Sequence, residues 1–338
     1  MPEHRVESLS ALRALIPPPP AIMHKRLQRS LDEICLLMIR KATVCAVGFS
    51  DPRLDIEYLD LRHHPVLRAV GQDIHLPWPA DKEIPDQPIE ELACSLYFIL
   101  PGVGFSLRAN GRGSLRNGKL LQFRAEALFL HCSRAKVRAD FWRVREHASP
   151  LSPSTGQVLS ETAQAFIAAS PYLLMLTQRQ AEATEMSPRG DPAGFVQVLD
   201  RHTLLVPERP GNKVACSLSN ILVDGSLRLS FLQPGIDTVL SVAGRAWLTN
   251  DPSLLVLLAI NNKPPRIATI VNVERYRFQH CPELLAAGLW DRATHLDEGQ
   301  IPAFSKMLSE HLNGKGLLGK ATGLVVDAVV KHDLRHLY

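Results

Sequence analysis

The chain repeats itself, and that repeat limits its fold more than any single motif does. The segment Leu96–Gly113, LYFILPGVGFSLRANGRG, returns as Leu229–Ala246, LSFLQPGIDTVLSVAGRA, with seven identities over 18 positions at a constant offset of 133. About one identity is expected by chance from this composition. A second echo, FLHCSRA from Phe129 and FQHCPEL from Phe278, runs at an offset of 149, so the second copy carries 16 more residues between the two blocks. Two like units joined head to tail are expected to pack as their single-unit ancestor packed in a homodimer. Any site at that seam would then be built from both halves.

With 338 residues, 46% of them hydrophobic and 21% charged, the chain can form two globular domains with separate cores. The net charge of +4 is spread along the sequence. Its longest basic run, His24-Lys25-Arg26, reads as a solvated helix face, and nucleic acid is not an expected partner. MPEHRVESL lacks the basic-then-apolar order of a signal peptide, and no uncharged apolar stretch reaches the ~18 residues needed to cross a bilayer. A cytoplasmic protein without a membrane partner is expected. Six cysteines, at positions 35, 45, 94, 132, 216 and 281, form no CxxC pair and read as buried thiols, with no metal site expected.

Residues 1–22 read as an arm, ending in the Pro17–Pro20 run that has no amide donors. Residues 23–142 make the first domain, 143–157 a Pro/Ser-rich linker, 158–291 the second domain and 292–338 a helical tail. Each domain opens with a helix, Met23–Ala42 and then one capped by Ser160, followed by a strand. Short alternating runs between Gly and Pro turns fit a small antiparallel barrel better than a βαβ sheet. Pro101-Gly102 and Pro234-Gly235 read as one hairpin turn used twice.

Two segments of the second half join turn-forming residues to fixed positive charge. They are Ser187-Pro188-Arg189-Gly190-Asp191-Pro192, and Glu208-Arg209-Pro210-Gly211-Asn212-Lys213 just before an expected helix from Val214 to Leu222. Outward-pointing amides at a helix start, flanked by Arg and Lys, suit a phosphate. An exposed turn with solvated charges is the plainer reading of an isolated RPGNK segment. His131 and His280 read as structural, and no catalytic Ser-His-Asp order or carboxylate pair stands out.

In their order and spacing, MSPRGDPAGFVQVLD, LLVPERPGNK, SFLQPGIDTVLSVAGRA and KPPRIATIVNVERYRFQHC resemble the pyridoxamine 5′-phosphate oxidase-like family of FMN-binding split barrels. The likeness covers roughly residues 160–291. It implies a mainly β fold with flanking helices, here two six-stranded split β-barrels in tandem forming a pseudo-dimer, with FMN at the seam. Carried over by position, Ser187, Arg189, Arg209 and Lys213 fall on the phosphate side, with Asn212 a further cofactor-binding residue. The first half resembles the family more faintly. Aligning its Asp60–Pro65 and Leu76–Lys82 with these segments keeps Lys82 and Arg62 but loses the glycines. In exchange, its HCSRA segment retains Arg134 and Arg138, where the second half has Pro282-Glu283-Leu284. The complementary losses imply one FMN per chain, held by second-half phosphate residues together with first-half Arg134 and Arg138.

The resemblance implies an FMN-dependent oxidoreductase acting on a small molecule, with NAD(P)H or an oxidisable amine as electron source and no identifiable catalytic residue. The alternative is a flavin- or haem-binding barrel pair without turnover, with His131 or His280 as axial ligand to haem. Whether the fused chain also forms a homodimer stays open.

Overall fold

The computed structural model describes residues 4–80, 82, 89–145, 154–297, 299–314, 316–335 and 337–338. After β1 (Arg5–Val6) and α1 (Leu9–Leu15), the first domain runs α2 (Glu33–Lys41), β2 (Val44–Phe49), β3 (Glu57–Asp60), β4 (Arg68–Val70), β5 (Asp73–Pro77), β6 (Leu92–Ile99), β7 (Ser106–Arg116), β8 (Leu120–His131) and α3 (Arg134–Arg138). After β9 (Thr155–Gly156), the second runs α4 (Glu161–Ala169), β10 (Tyr172–Arg179), β11 (Ala183–Gly190), β12 (Gln197–Asp200), β13 (Thr203–Pro207), α5 (Cys216–Val223), β14 (Ser226–Leu232), β15 (Thr238–Thr249), α6 (Pro252–Leu255), β16 (Ala268–His280) and α7 (Glu283–Ala286). Helices α8 (Phe304–Asn313) and α9 (Leu317–Arg335) close the chain.

The fold is mainly β, two split barrels with flanking helices. The antiparallel strand orders, β3-β2-β6-β7-β8-β5-β4 and β11-β10-β14-β15-β16-β13-β12, are the same order written twice. Each path has seven strands rather than the expected six, because a short hairpin partner (β4, β12) adds an edge to β5 and β13, and β1 and β9 bring the second sheet to nine. The sequence repeat is also a repeat of register. Gly111 and Gly244, 133 residues apart, each sit at a β-bulge where a Cβ would lie 2.0 Å from a carbonyl oxygen of the next strand. The Pro-Gly turns agree too, with Gly102 at φ 75° and Gly235 at φ 93°, where glycine alone is unstrained.

The second echo does not survive in register. Leu130 pairs with Leu107 as Phe278 pairs with Leu240, so the last strands correspond at an offset of 148, one residue out of phase with the HC motif. A one-residue slip turns a side chain to the other face of its sheet. Hence His131 turns in beside Tyr97 and Phe129, while the His280 side chain is 61% exposed beside Asp237.

Among the described residues, three large cores and a small one at Leu205, Leu255, Leu258, Ala268 and Ile270 hold the molecule. Each barrel has its own, and a third joins them through Val44, Ala46, Tyr58, Tyr97, Tyr172, Leu174, Leu176, Phe141 and Trp290. Strands β2 and β10 therefore read as unbroken buried runs, since one face fills a barrel and the other fills the seam. Two buried arginines cross that seam. Arg228 donates to the carbonyls of Phe49, Asp51 and Leu54, and Arg108 to that of Met186.

The arm departs from expectation. It docks on the second barrel rather than leading into the first, because β1 pairs with β15 and Val6 and Leu12 are buried in the second core. The expected helix Met23–Ala42 is split into a 3-10 turn at Ala21–Arg26 and α2, since Gln28 and Leu128 exchange both backbone hydrogen bonds between them. Of the linker, Thr155 and Gly156 pair with β16, while the Ser-Pro pairs at 149–153 lie outside the described residues. No described helix is long and apolar enough to cross a membrane.

Candidate functional site

A cavity of about 760 Å³ opens at the seam between α3 of the first barrel and β11, α5 and the loop 208–215 of the second. That volume lies within the ~300–1,000 Å³ usual for small-molecule sites. Ser187, Arg189, Arg209, Asn212, Lys213, Arg134 and Arg138 all line it, so residues far apart in the chain meet around one space. Nine Arg and Lys side chains line it against three carboxylates, Glu185, Asp191 and Glu208, which gives its wall an excess of positive charge.

The SPRGD segment is not a turn, as its composition suggested. Ser187–Gly190 is the end of edge strand β11, where Pro188 is tolerated on the side without a partner strand. Gly190 is required by the seam itself: a Cβ there would lie 2.2 Å from the Ala135 carbonyl oxygen, so only glycine lets α3 pack this closely. This contact brings Arg134 and Arg138 over the second barrel's site.

Arg189 reaches Glu208 at 2.9 Å and the Ser217 hydroxyl at 3.3 Å, with its Nε buried and unpaired. Ser217 lies in the first turn of α5, whose start has no side-chain cap; Ala215 there is left-handed. Uncapped first-turn amides beside Arg189 and Lys213 form an anion cradle. Lys213 also takes a left-handed φ of 60°. Arg13 of α1 holds this loop by donating to the carbonyls of Lys213 and Val214 at 2.8 and 2.9 Å. The Asn212 side chain accepts from the Val214 amide at 3.0 Å and so shapes the turn. The Ser187 hydroxyl is buried, accepting from Arg108 and facing Glu185.

The outer wall is a knot around Asp191, which is fully buried. Arg209 Nε stands 2.5 Å from one of its oxygens, and the Tyr338 hydroxyl donates to the other at 3.1 Å. Arg138 donates to the carbonyls of Pro210 and Leu337, and its guanidinium and that of Arg209 each lie within 6 Å of the Tyr338 ring centroid. Burial pushes the Tyr338 phenol up to about 12, so it donates rather than ionises.

At the inner end, sequence reasoning missed two arginines. Arg26, read above as part of a solvated face, is only 6% exposed; His24 and Lys25 take the solvent while Arg26 turns in over Phe129. Arg108 stacks on the same ring at 4.1 Å and pairs with Glu185 at 2.8 Å. Leu107 and Ala109 fill the barrel core, so alternation turns Arg108 to the outer face of β7, which only the seam buries, and no local pattern reported it. Burial, and then the charges of Arg108 and Arg189, hold His131 well below its ordinary pKa, so its imidazole is neutral; its Nδ1 is buried without a partner.

No family model matches this chain, and no curated protein matches it. Among solved structures it is similar to HupZ of Group A Streptococcus (14% identity, 35% of this chain and 91% of that one, TM-score 0.30). It is similar also to an FAD binding protein from Mycobacterium smegmatis (15% identity, 37% and 97%, TM-score 0.26). A further likeness is to a protein from Clostridium acetobutylicum related to general stress protein 26, of the pyridoxinephosphate oxidase family, at 10% identity over 35% of this chain and 86% of that one, with a TM-score of 0.27.

Proposed function

We propose that this chain, by duplication of one split barrel, holds a single FMN in the interdomain cavity and carries out redox chemistry on a small molecule there. The observation that carries the reading is the cavity wall itself: an uncapped helix start, Arg189 and Lys213 from one barrel, and Arg134 and Arg138 from the other. These residues fit the group. A phosphate would be held by the α5 amides, Arg189 and Lys213, and Arg189 would exchange Glu208 for it. The cation excess and the unpaired Nε atoms of Arg26 and Arg189 favour a ligand that carries negative charge. When bound, the flavin supplies two-electron transfer between a donor and an acceptor.

The chain's own part is orientation and electrostatics. Asp191 fixes Arg209, Gly190 keeps α3 close, and neutral His131 can accept or donate a hydrogen bond without adding charge. The non-catalytic alternative with haem falls on His131, since it lines the cavity and His280 does not.

The test is the absorption spectrum of the purified protein, followed by FMN titration of the wild type and of the Arg189→Ala/Lys213→Ala pair. One FMN per chain, weakened at least tenfold in the pair, supports the proposal. A protein that ignores FMN overturns it, and a Soret band on adding haem favours the alternative.

A further inference from the structure

Away from the cavity, Asp32, Cys35 and His311 offer an oxygen, a sulfur and a nitrogen that all lie within 4.8 Å of one another. Asp32 precedes α2, Cys35 lies in its first turn, and His311 comes from α8, which packs across the first barrel beside Met307. The Cys35 residue and the His311 side chain are at most 1% exposed, while Asp32 is 38% exposed and open to solvent on one side.

The internal bonding of this cluster is incomplete. One Asp32 oxygen is used in capping α2, accepting from the Cys35 amide at 2.8 Å. The other stands 2.9 Å from His311 Nε2, while His311 Nδ1 is buried without a partner. Carboxylate, thiol and imidazole donors gathered this closely, two of them on buried side chains, are the elements of a coordination set.

The geometry points to a divalent zinc-class metal site formed by Asp32, Cys35 and His311. Sulfur, imidazole and carboxylate are the zinc donor set, with bond lengths of about 2.0–2.3 Å, and three protein ligands leave a fourth position on the solvent side of Asp32 for water. Binding deprotonates the Cys35 thiol and releases that proton to solvent, so the thiolate and carboxylate together balance the two positive charges of the metal. A neutral centre is the form that burial tolerates. Its effect is to tie α8, 276 residues further along the chain than Cys35, to the start of the first barrel. Sequence spacing could not reveal it, because only two of the three ligands are near each other in the chain.

The test uses the full chain stripped with chelator and titrated with Co²⁺ alone, then with Zn²⁺ in competition, with no flavin present. One Co²⁺ per chain with a thiolate-to-cobalt charge-transfer band in the near ultraviolet, displaced by Zn²⁺, is expected. Cys35→Ser should lose the band, His311→Ala should weaken binding at least tenfold, and Cys94→Ser should change neither. Zinc-edge X-ray absorption on the unmutated protein stands apart from any folding defect of the variants. One sulfur in the first shell supports the site. A shell of oxygen and nitrogen only, or no cobalt band, overturns it.

Discussion

The pseudo-twofold arrangement creates two equivalent ends, and they have opposite contents. At one end β11 of the second barrel meets α3 of the first; at the other, β3 of the first meets α7 of the second. Strand register equates Ser187 with Glu57, Arg189 with Leu59 and Gly190 with Asp60. The hydrogen bonds that close α3 and α7 equate Arg134 with Pro282, Lys136 with Leu284 and Arg138 with Ala286. The first end is an open cavity with excess positive charge. The second is shut, with Lys82 buried between Glu57 at 3.4 Å and Glu283 at 2.8 Å. A frame that offers a cationic pocket twice can keep one for a ligand and must neutralise the other from within, because a buried unpaired charge is costly.

The largest effect expected from breaking this comparison is at the closed end. Lys82→Met removes the ammonium buried between Glu57 and Glu283 and should cost about 4 kcal/mol of stability, with FMN affinity in the folded fraction unchanged. Urea unfolding and flavin titration read the two separately; equal loss of both would mean that the closed end is also a ligand site. Next is Gly190→Ala. It forces a Cβ onto the Ala135 carbonyl oxygen and should cost about 3 kcal/mol by overpacking, and it should weaken FMN at least tenfold by moving Arg134 and Arg138 off the cavity. If FMN affinity holds in a destabilised protein, the two arginines do not reach the ligand.

Much of this contrast could be read in the sequence. The 133-residue echo marked the barrel strands, turns and bulges, because those positions require Gly, Pro and alternating apolar residues whatever the site contains. The charged residues of SPRGD and RPGNK, with Arg134 and Arg138, marked the open end. What could not be read depends on phase and on distance along the chain. The HC echo aligned residues that differ by one register step, so it equated an inward histidine with an outward one. Aligning Asp60–Pro65 with SPRGD placed Arg62 opposite Arg189, whereas strand pairing puts Leu59 there. Arg26 and Tyr338 enter the cavity from the two ends of the chain, and no local pattern reports a contact of that kind.

The pair Lys136 and Leu284 sharpens the comparison through pH. Lys136 is buried on three acceptors, the Val103 and Phe105 carbonyls and the Ser106 hydroxyl, with no carboxylate among them. Burial lowers its pKa to about 7. Between pH 7 and the unfolded value near 10.5, the unfolded chain holds a proton that the folded one does not. Stability therefore rises with pH through this window, and below pH 7, where both states are protonated, the full penalty remains. Lys136→Met removes the dependence. The stability of the wild type relative to this variant should improve by about 2 kcal/mol from pH 6 to pH 8.5, as chemical unfolding at each pH would measure; a flat difference would mean that the amine is not desolvated.

The smallest effect concerns what stands in the open end without a ligand. The Tyr338 ring lies 5.6 Å from the Arg138 guanidinium and 5.7 Å from that of Arg209, and its hydroxyl donates to Asp191, so it is held by the same groups that build the outer wall. Two cation–π contacts at a partly exposed site amount to about 1 kcal/mol, and Tyr338→Ala should cost about that much. The kinetic consequence is the more telling one. If the ring screens the two arginines from an approaching phosphate, its removal should speed FMN association several-fold at low ionic strength while leaving the Arg189 and Lys213 contacts, and hence most of the dissociation barrier, in place. Stopped-flow quenching of flavin fluorescence gives both rates. An unchanged association rate would show that FMN enters past the loop 208–215 instead, and that Tyr338 braces Asp191 without guarding the cavity.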